Sequence, residues 1–186
     1  MSKPKLIIVS APSGAGKSTL CQRLLKDYPE KFKFSISSTT RKPRGQEQNG
    51  KEYHFLSKPE FQKGIEAGQF AEWANVHDEF YGTSKSEIDA AFLAGKSIIL
   101  DIDVQGAASL RKSYPNQHID IFVAPPSLEV LEQRLRSRGT DPDAVIAKRM
   151  KNAKSEMDRM NEFTTILIND DLDETYKKFK DVVFGK

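Results

Sequence analysis

The chain carries a single cysteine, Cys21, which excludes an internal disulfide framework and any thiolate metal cluster. Its three histidines are scattered, so an imidazole metal centre is excluded almost as firmly; His54, His77 and His118 read as structural or exposed. Long apolar runs are missing as well. The longest, Leu6 to Val9, falls far short of the roughly 20 residues that cross a bilayer. No apolar stretch of the signal-peptide kind opens the chain, so a cytoplasmic protein without membrane attachment is expected. Charge of one sign is scarce too. The 29 Lys and Arg against 26 Asp and Glu leave +3 over 186 residues, too slight an excess to announce a nucleic-acid partner. What is present suits a mixed globular domain: 38% hydrophobic residues with eleven Phe supply a core and exclude disorder.

Residues 5–10 form an apolar run without alternation, the pattern of a strand covered on both faces. A turn of small residues follows at 11–16, then a helical pattern over 17–26 with Leu20, Cys21, Leu24 and Leu25 on one side. Three more buried-type strands are predicted at 97–100, 119–123 and 165–168. Helices between them have legible ends. Ser84 and Glu87 make a capping box before 88–94, which Gly95 stops. Ser127 opens 128–138, which Gly139 closes, and Asp141-Pro142 starts a long helix reaching about Met160. Strands alternating with helices predict a parallel, helix-covered sheet. Residues 31–83 break that rhythm. Phe32, Phe34 and Ile36 alternate, a turn-rich segment follows at 42–46, and short strands are expected at 53–56 and 70–76. Ser57 with Glu60 caps a brief helix between those two strands, and Trp73 and the phenylalanines read as core. The stretch reads as a mostly antiparallel insertion on the sheet edge, carrying a second binding site that faces the first.

Ala11-Pro12-Ser13-Gly14-Ala15-Gly16-Lys17-Ser18 nearly satisfies G-x-x-x-x-G-K-[ST], the loop that wraps nucleotide phosphates. Small residues let backbone amides converge on oxyanions, a lysine reaches the terminal phosphates, and a hydroxyl holds Mg²⁺. Lys17 and Ser18 fill those roles, with Gly14 and Gly16 as the bend and Ala11 in place of the first glycine. The bland alternative is a strand-to-helix turn with an exposed lysine. Asp101 and Asp103 end the apolar strand at 98–100, the position from which P-loop proteins aim an acid at Mg²⁺ or substrate. An acid there has a competing use, which is to cap the next helix.

Residues 37–44 pack Arg41 and Arg44 among several hydroxyls, and guanidinium forks suit a dianionic phosphate. Tyr53 and Tyr81 supply phenolic donors in the same stretch; a solvated basic turn with two packing tyrosines accounts for the same residues. Here the sequence resembles a known family. Residues 35–44, with Gly50-Lys51-Glu52-Tyr53-His54-Phe55, are similar to the nucleoside monophosphate segment of guanylate kinases. Tyr81-Gly82-Thr83, residues 99–106, Ala124-Pro125-Pro126-Ser127 and Arg138-Gly139-Thr140 follow in the family's order, so the resemblance covers essentially the whole chain.

The resemblance implies an α/β fold: a P-loop NTPase parallel sheet covered by helices. Its core would be 1–34, 86–126 and 162–186, with a mixed or antiparallel GMP-binding insertion at 35–85 and a helical lid at 127–161. It implies transfer of the ATP γ-phosphoryl to GMP with Mg²⁺ as cofactor, dGMP as a further acceptor, and a monomer or homodimer. By resemblance, ATP would meet Ala11, Pro12, Ser13, Gly14, Ala15, Gly16, Lys17, Ser18 and Thr19, with Asn169 near the adenine. Ser37, Arg41, Arg44, Tyr53 and Tyr81 would line the GMP phosphate and base pocket. Glu72 would read guanine, assisted by Thr83, Asp101 and Asp103; many relatives have serine where Thr83 stands. Ser18 would hold Mg²⁺, with Asp101 reaching the ion through water. The catalytic set would be Lys17, Arg41 and the lid arginines Arg134, Arg138 and Arg149.

Elementary chemistry agrees on the base. Guanine presents N1–H and N2–H side by side for one carboxylate, whereas adenine offers a lone pair at N1. Glu72 lies in an apolar setting, Phe70-Ala71-Glu72-Trp73-Ala74, where an unpaired charge is costly. A surface acid on an edge strand is the plain alternative. Arg134 and Arg138 share a helix face while Arg136 points elsewhere, and Arg149 lies beyond the turn at 139–142. The two helices make either a mobile lid carrying charge to the transferring phosphoryl or an amphipathic hairpin with a solvated basic face. The rival from another class is a guanylate-kinase-like protein-binding module, in which P-loops are typically degraded; Gly16, Lys17 and Ser18 are intact here. A kinase for AMP is the other rival, and Glu72 separates it.

Overall fold

In the computed structural model, which describes residues 3–76, 78–137, 139 and 141–186, the N-terminal apolar run forms β1, Leu6–Ser10, buried at every position. A strand hidden on both faces needs a neighbour on each edge and helices above and below. β7, Ser97–Asp101, and β8, His118–Ala124, flank it in parallel. β2, Phe32–Phe34, and β9, Thr165–Ile168, complete a parallel sheet in the order β2-β7-β1-β8-β9. Alternate side chains leave it on opposite faces. Leu6, Ile8, Leu100 and Phe122 pack with α3, Lys85–Leu93, and α4, Val104–Ser113. Ile7, Val9, Ile99 and Val123 pack with α1, Lys17–Asp27, and α7, Leu172–Phe184. Cys21 belongs to this second layer, its thiol pushed up to about 12 by burial.

A second, mixed sheet runs in the order β4-β3-β6-β5, with β3 Ser38–Thr39, β4 His54–Phe55, β5 Phe70–Val76 and β6 Glu79–Ser84. β3 and β4 are parallel; β6 is antiparallel to both its neighbours. Gly82 is a required glycine, because a Cβ there would stand 2.9 Å from the Glu72 carbonyl oxygen on the adjacent strand. α2, Lys58–Glu66, presses Phe61 onto this sheet, stacked on Phe70 and Phe80 with centroids 4.3 and 5.4 Å away. α5, Leu128–Ser137, and α6, Asp143–Met157, form a hairpin around Leu131, Leu135, Ile146 and Ala153.

Several sequence expectations change. Phe32 and Phe34 do not belong to the antiparallel sheet: they pair with Ser97 and Ile99 as an edge of the parallel one. Ser57 and Glu60 make a complete capping box, but at Ser84 only half of it forms, because the Glu87 carboxylate turns to Lys33 Nζ at 3.0 Å. Pro142 caps α6 rather than opening it, and the helix stops at Met157 before a 3₁₀ turn at Met160–Glu162. The helix expected after the acids at 101 and 103 is α4, while β6 and α7 have no counterpart among the expected elements. Trp73 is 44% exposed on edge strand β5, edge-on to Phe80, so it is not core. Among the described residues no helix is long and apolar enough to cross a membrane.

Candidate active site

The turn after β1 runs under the N-terminus of α1, and its bend needs the glycines at 14 and 16, whose φ values are 98° and 95°. At Gly16 a Cβ would lie 2.2 Å from the amide nitrogen of Asn169. Ala11, the departure from the motif, has no positive φ, so that position does not require glycine. Lys17 Nζ pairs with Asp101 Oδ1, and Ser18 Oγ donates to Asp101 Oδ2 at 3.3 Å. Asp101 reaches them because β7 lies beside β1, in register Val9 to Asp101. Pro12, Ser13, Lys17, Ser18, Thr19 and Asp101 line a cavity of about 380 Å³ over this loop, with Ala11, Gly14 and Gly16 in its wall.

A second cavity, about 240 Å³, opens against the mixed sheet and is lined by Ser37, Tyr53, Tyr81 and Glu72. The two share a wall made of Asp101, Ile102, Asp103 and Glu156. Glu72 is 7% exposed and accepts a hydrogen bond from Thr83 Oγ1 at 2.7 Å. Burial pushes its carboxyl up to about 7, with the Asp103 charge adding and the Thr83 hydrogen bonds opposing. Gly106 permits the close fit on the other side, since a Cβ there would meet Glu72 Oε2 at 2.6 Å. Asp103 Oδ1 caps α4 by accepting from the Gly106 amide at 2.7 Å, so the capping role is real even though Asp103 also lines both cavities.

Other expected residues stand elsewhere. Thr83 is fully buried and touches the second cavity only through Glu72. Arg41 and Arg44 line neither cavity. Both Arg41 Nη1 and Nη2 donate to the Glu47 carboxylate at 2.9 Å, and the Arg44 amide donates to it at 2.7 Å. That fork raises the Arg41 pKa further, and the guanidinium lies 5.3 Å over the Tyr53 ring. Asn169, expected near an adenine, is 4% exposed and donates Nδ2 to the Ala15 carbonyl at 2.7 Å, bracing the loop from below. Arg134 does not line the cavity over the loop and donates to the Asn169 and Asp170 carbonyls at 2.9 and 3.3 Å. Arg149 does reach it: Nη1 donates to Ser13 Oγ at 2.8 Å, and Nη2 to Asp141 at 3.4 Å. Arg138 lies outside the described residues.

Two acids were not anticipated. Glu47 sits where Arg41 and Arg44 converge, as a planar oxyanion would; its spacing of three and six residues from the arginines was the available signal. Glu156 on α6 lines both cavities, and only its place seven residues after Arg149 hinted at it. Among the described residues no group of three acidic, His or Cys side chains can hold a metal. Ser18 and Asp101 offer a hydroxyl and a carboxylate side by side, a hard-oxygen pair that suits Mg²⁺ completed by phosphate and water.

The family model described as "Guanylate kinase" matches residues 3–186. A guanylate kinase of Idiomarina loihiensis is 46% identical over 97% of this chain and 86% of its own length. One from Porphyromonas gingivalis is 48% identical over 90% of each chain. The crystal structure of guanylate kinase from Anaplasma phagocytophilum superposes with a TM-score of 0.79 at 28% identity, covering 100% of this chain and 87% of that one.

Proposed function

The chain belongs to the guanylate kinase family, and from that premise we propose that it transfers the γ-phosphoryl of ATP to GMP, giving ADP and GDP. One observation carries the assignment of substrates to places. Two cavities share a wall, one lying over the phosphate loop and the other against a buried carboxylate that a hydroxyl holds in place. ATP takes the first and GMP the second, which sets donor and acceptor nucleotides side by side across the shared wall.

The phosphates of ATP compete with Asp101 for Lys17, while the amides around Gly14 and Gly16 wrap them. Ser18 and Asp101 would hold Mg²⁺, which would supply positive charge against the phosphates of ATP. An oxygen of the GMP phosphate attacks the γ-phosphorus as the bond to the bridging oxygen of ADP breaks. That nucleophile is already anionic, so no side chain has to remove a proton. The fork of Arg41 that holds Glu47 has the bidentate geometry a phosphate dianion takes, and GMP displaces Glu47 from it. Glu72 accepts N1–H and N2–H of guanine, with Thr83 fixing its orientation. Arg149, already on the loop, carries positive charge from α6 to the phosphoryl in transfer, and closure of the α5–α6 hairpin excludes water. Nucleotide substrates and one buried cysteine suit a cytoplasmic setting.

The test is a coupled ADP-release assay with ATP and a panel of nucleoside monophosphates. GMP should be the preferred acceptor by about 10⁴ or more over AMP in kcat/KM, the scale on which a site built for hydrogen-bond donors rejects an analogue lacking them. Comparable turnover of AMP would overturn the reading.

A further inference from the structure

Glu156 is a half-buried acid on α6 that lines both cavities and has, among the described residues, no hydrogen-bond or ion-pair partner. Burial pushes its carboxyl up to about 7; Lys17 opposes that shift and Asp103 adds to it. A half-buried carboxylate that faces two ligand cavities without a protein partner is placed to accept from a donor that arrives with the ligand. The surroundings narrow the choice. The base end of the acceptor cavity is occupied by Glu72, and Tyr53 and Tyr81 lie along another wall, next to Arg41. Phosphate oxygens near Glu156 would repel it. The sugar between base and phosphate is the part of a nucleotide that brings neutral hydroxyl donors.

The helix supplies a second line of argument. Arg149 and Glu156 are seven residues apart on α6, two turns that return to within about 20° of the same face. Ala153, buried in the hairpin core, lies on that face between them. The face that brings Arg149 to Ser13 of the phosphate loop therefore brings Glu156 to the wall of the acceptor cavity.

We propose that Glu156 is the specificity residue by which α6 reads the acceptor's sugar, its carboxylate accepting hydrogen bonds from the ribose hydroxyls of GMP. This rests on the assignment of GMP to the second cavity. The 2′-hydroxyl is the group that separates ribose from deoxyribose, so Glu156 favours GMP over dGMP while leaving dGMP usable. Sugar contact also ties acceptor occupancy to the helix that carries Arg149.

The experiment compares kcat/KM for GMP and dGMP at saturating ATP in wild type, Glu156→Gln and Glu156→Ala. Wild type should prefer GMP by about tenfold, on the scale of one hydrogen bond to a charged group. Glu156→Ala should bring the ratio to within about twofold of unity, mostly by losing GMP efficiency, and Glu156→Gln should fall between. Sustained dGMP turnover in each variant reports that the protein is folded. A ratio unchanged from wild type in Glu156→Ala, or GMP and dGMP efficiencies falling in parallel, overturns the role of Glu156 and leaves the kinase assignment standing. Absence of GMP turnover by the wild type would instead remove the assignment on which the proposal rests.

Discussion

Lys17 is 16% exposed and tied to Asp101, and both line the cavity over the loop rather than the core. Lys17→Ala should therefore cost at least 10²-fold in kcat, on the scale of one preorganised charge donor, while the melting temperature moves by only a few degrees. More than a tenth of wild-type turnover remaining would refute the role given to the loop. Glu72 gives a sharper test because its ionisation matters. Its carboxyl rises from the ordinary 4.5 to about 7 in the folded protein. Stability contributed by the neutral form is thus fully present below 4.5 and is lost as the pH climbs through about 7. Guanine binding runs the opposite way, since only the carboxylate accepts both donors. KM for GMP should fall about five- to tenfold from pH 6 to pH 7.5, beyond what phosphate ionisation supplies. In Glu72→Gln that excess should vanish, and GMP efficiency should drop about 10²-fold with the GMP-to-AMP ratio narrowing. Identical KM–pH profiles in the two enzymes would show that Glu72 does not meet the base.

Elements rather than single side chains set how tightly Glu72 is held. The first turn of α4 approaches β5 so closely that Gly106→Ala would drive a methyl into Glu72 Oε2. That variant should raise KM for GMP at least tenfold and leave KM for ATP within about twofold, which steady-state kinetics with each substrate varied would check. On α6, Arg149→Lys keeps the charge but loses the fork that reaches Ser13 and Asp141 at once. Turnover should fall by about tenfold or more with KM for GMP little changed; equal changes in both would assign Arg149 to ground-state binding. The legible elements were those whose signal is local. β1 is a pure apolar run, and the phosphate loop announces itself by its glycines, lysine and serine. β6 was not legible because Gly82, which looks like a break, is present to let Glu72's backbone approach from β5. α7 was overlooked although Leu172, Tyr176, Phe179 and Val183 recur at helical spacing and Asp171 caps it twice, at 2.9 Å each. Arg134 and Asn169 could not be placed from sequence, since their partners are backbone carbonyls at distant positions. Glu47 and Glu156 look like solvated acids until tertiary structure shows what each faces.

At the scale of the molecule, the two cavities behave as one elongated site divided by a wall of four residues. A compound joining adenosine to guanosine through a polyphosphate bridge should occupy both and raise the melting temperature more than ATP and GMP together at equal concentration, since the second half binds at high effective concentration. Thermal shift with the joined and separate ligands would decide it; no excess from the joined compound would argue against adjacent sites. The order of strands has a different consequence, one that belongs to synthesis. β1 pairs on one side with Ile98–Asp101 and on the other with His118–Phe122, so both neighbours lie far downstream. A chain made N-terminus first presents Leu6-Ile7-Ile8-Val9 unpaired until Ile98–Asp101 has left the ribosome, and the other edge of β1 stays open until His118–Phe122 follows. At about 5–20 residues per second the wait for the first partner is roughly 5–20 s. Nascent chains stalled before residue 97 should stay open to protease throughout, so the pairing of one five-residue strand sets how long the emerging chain is vulnerable.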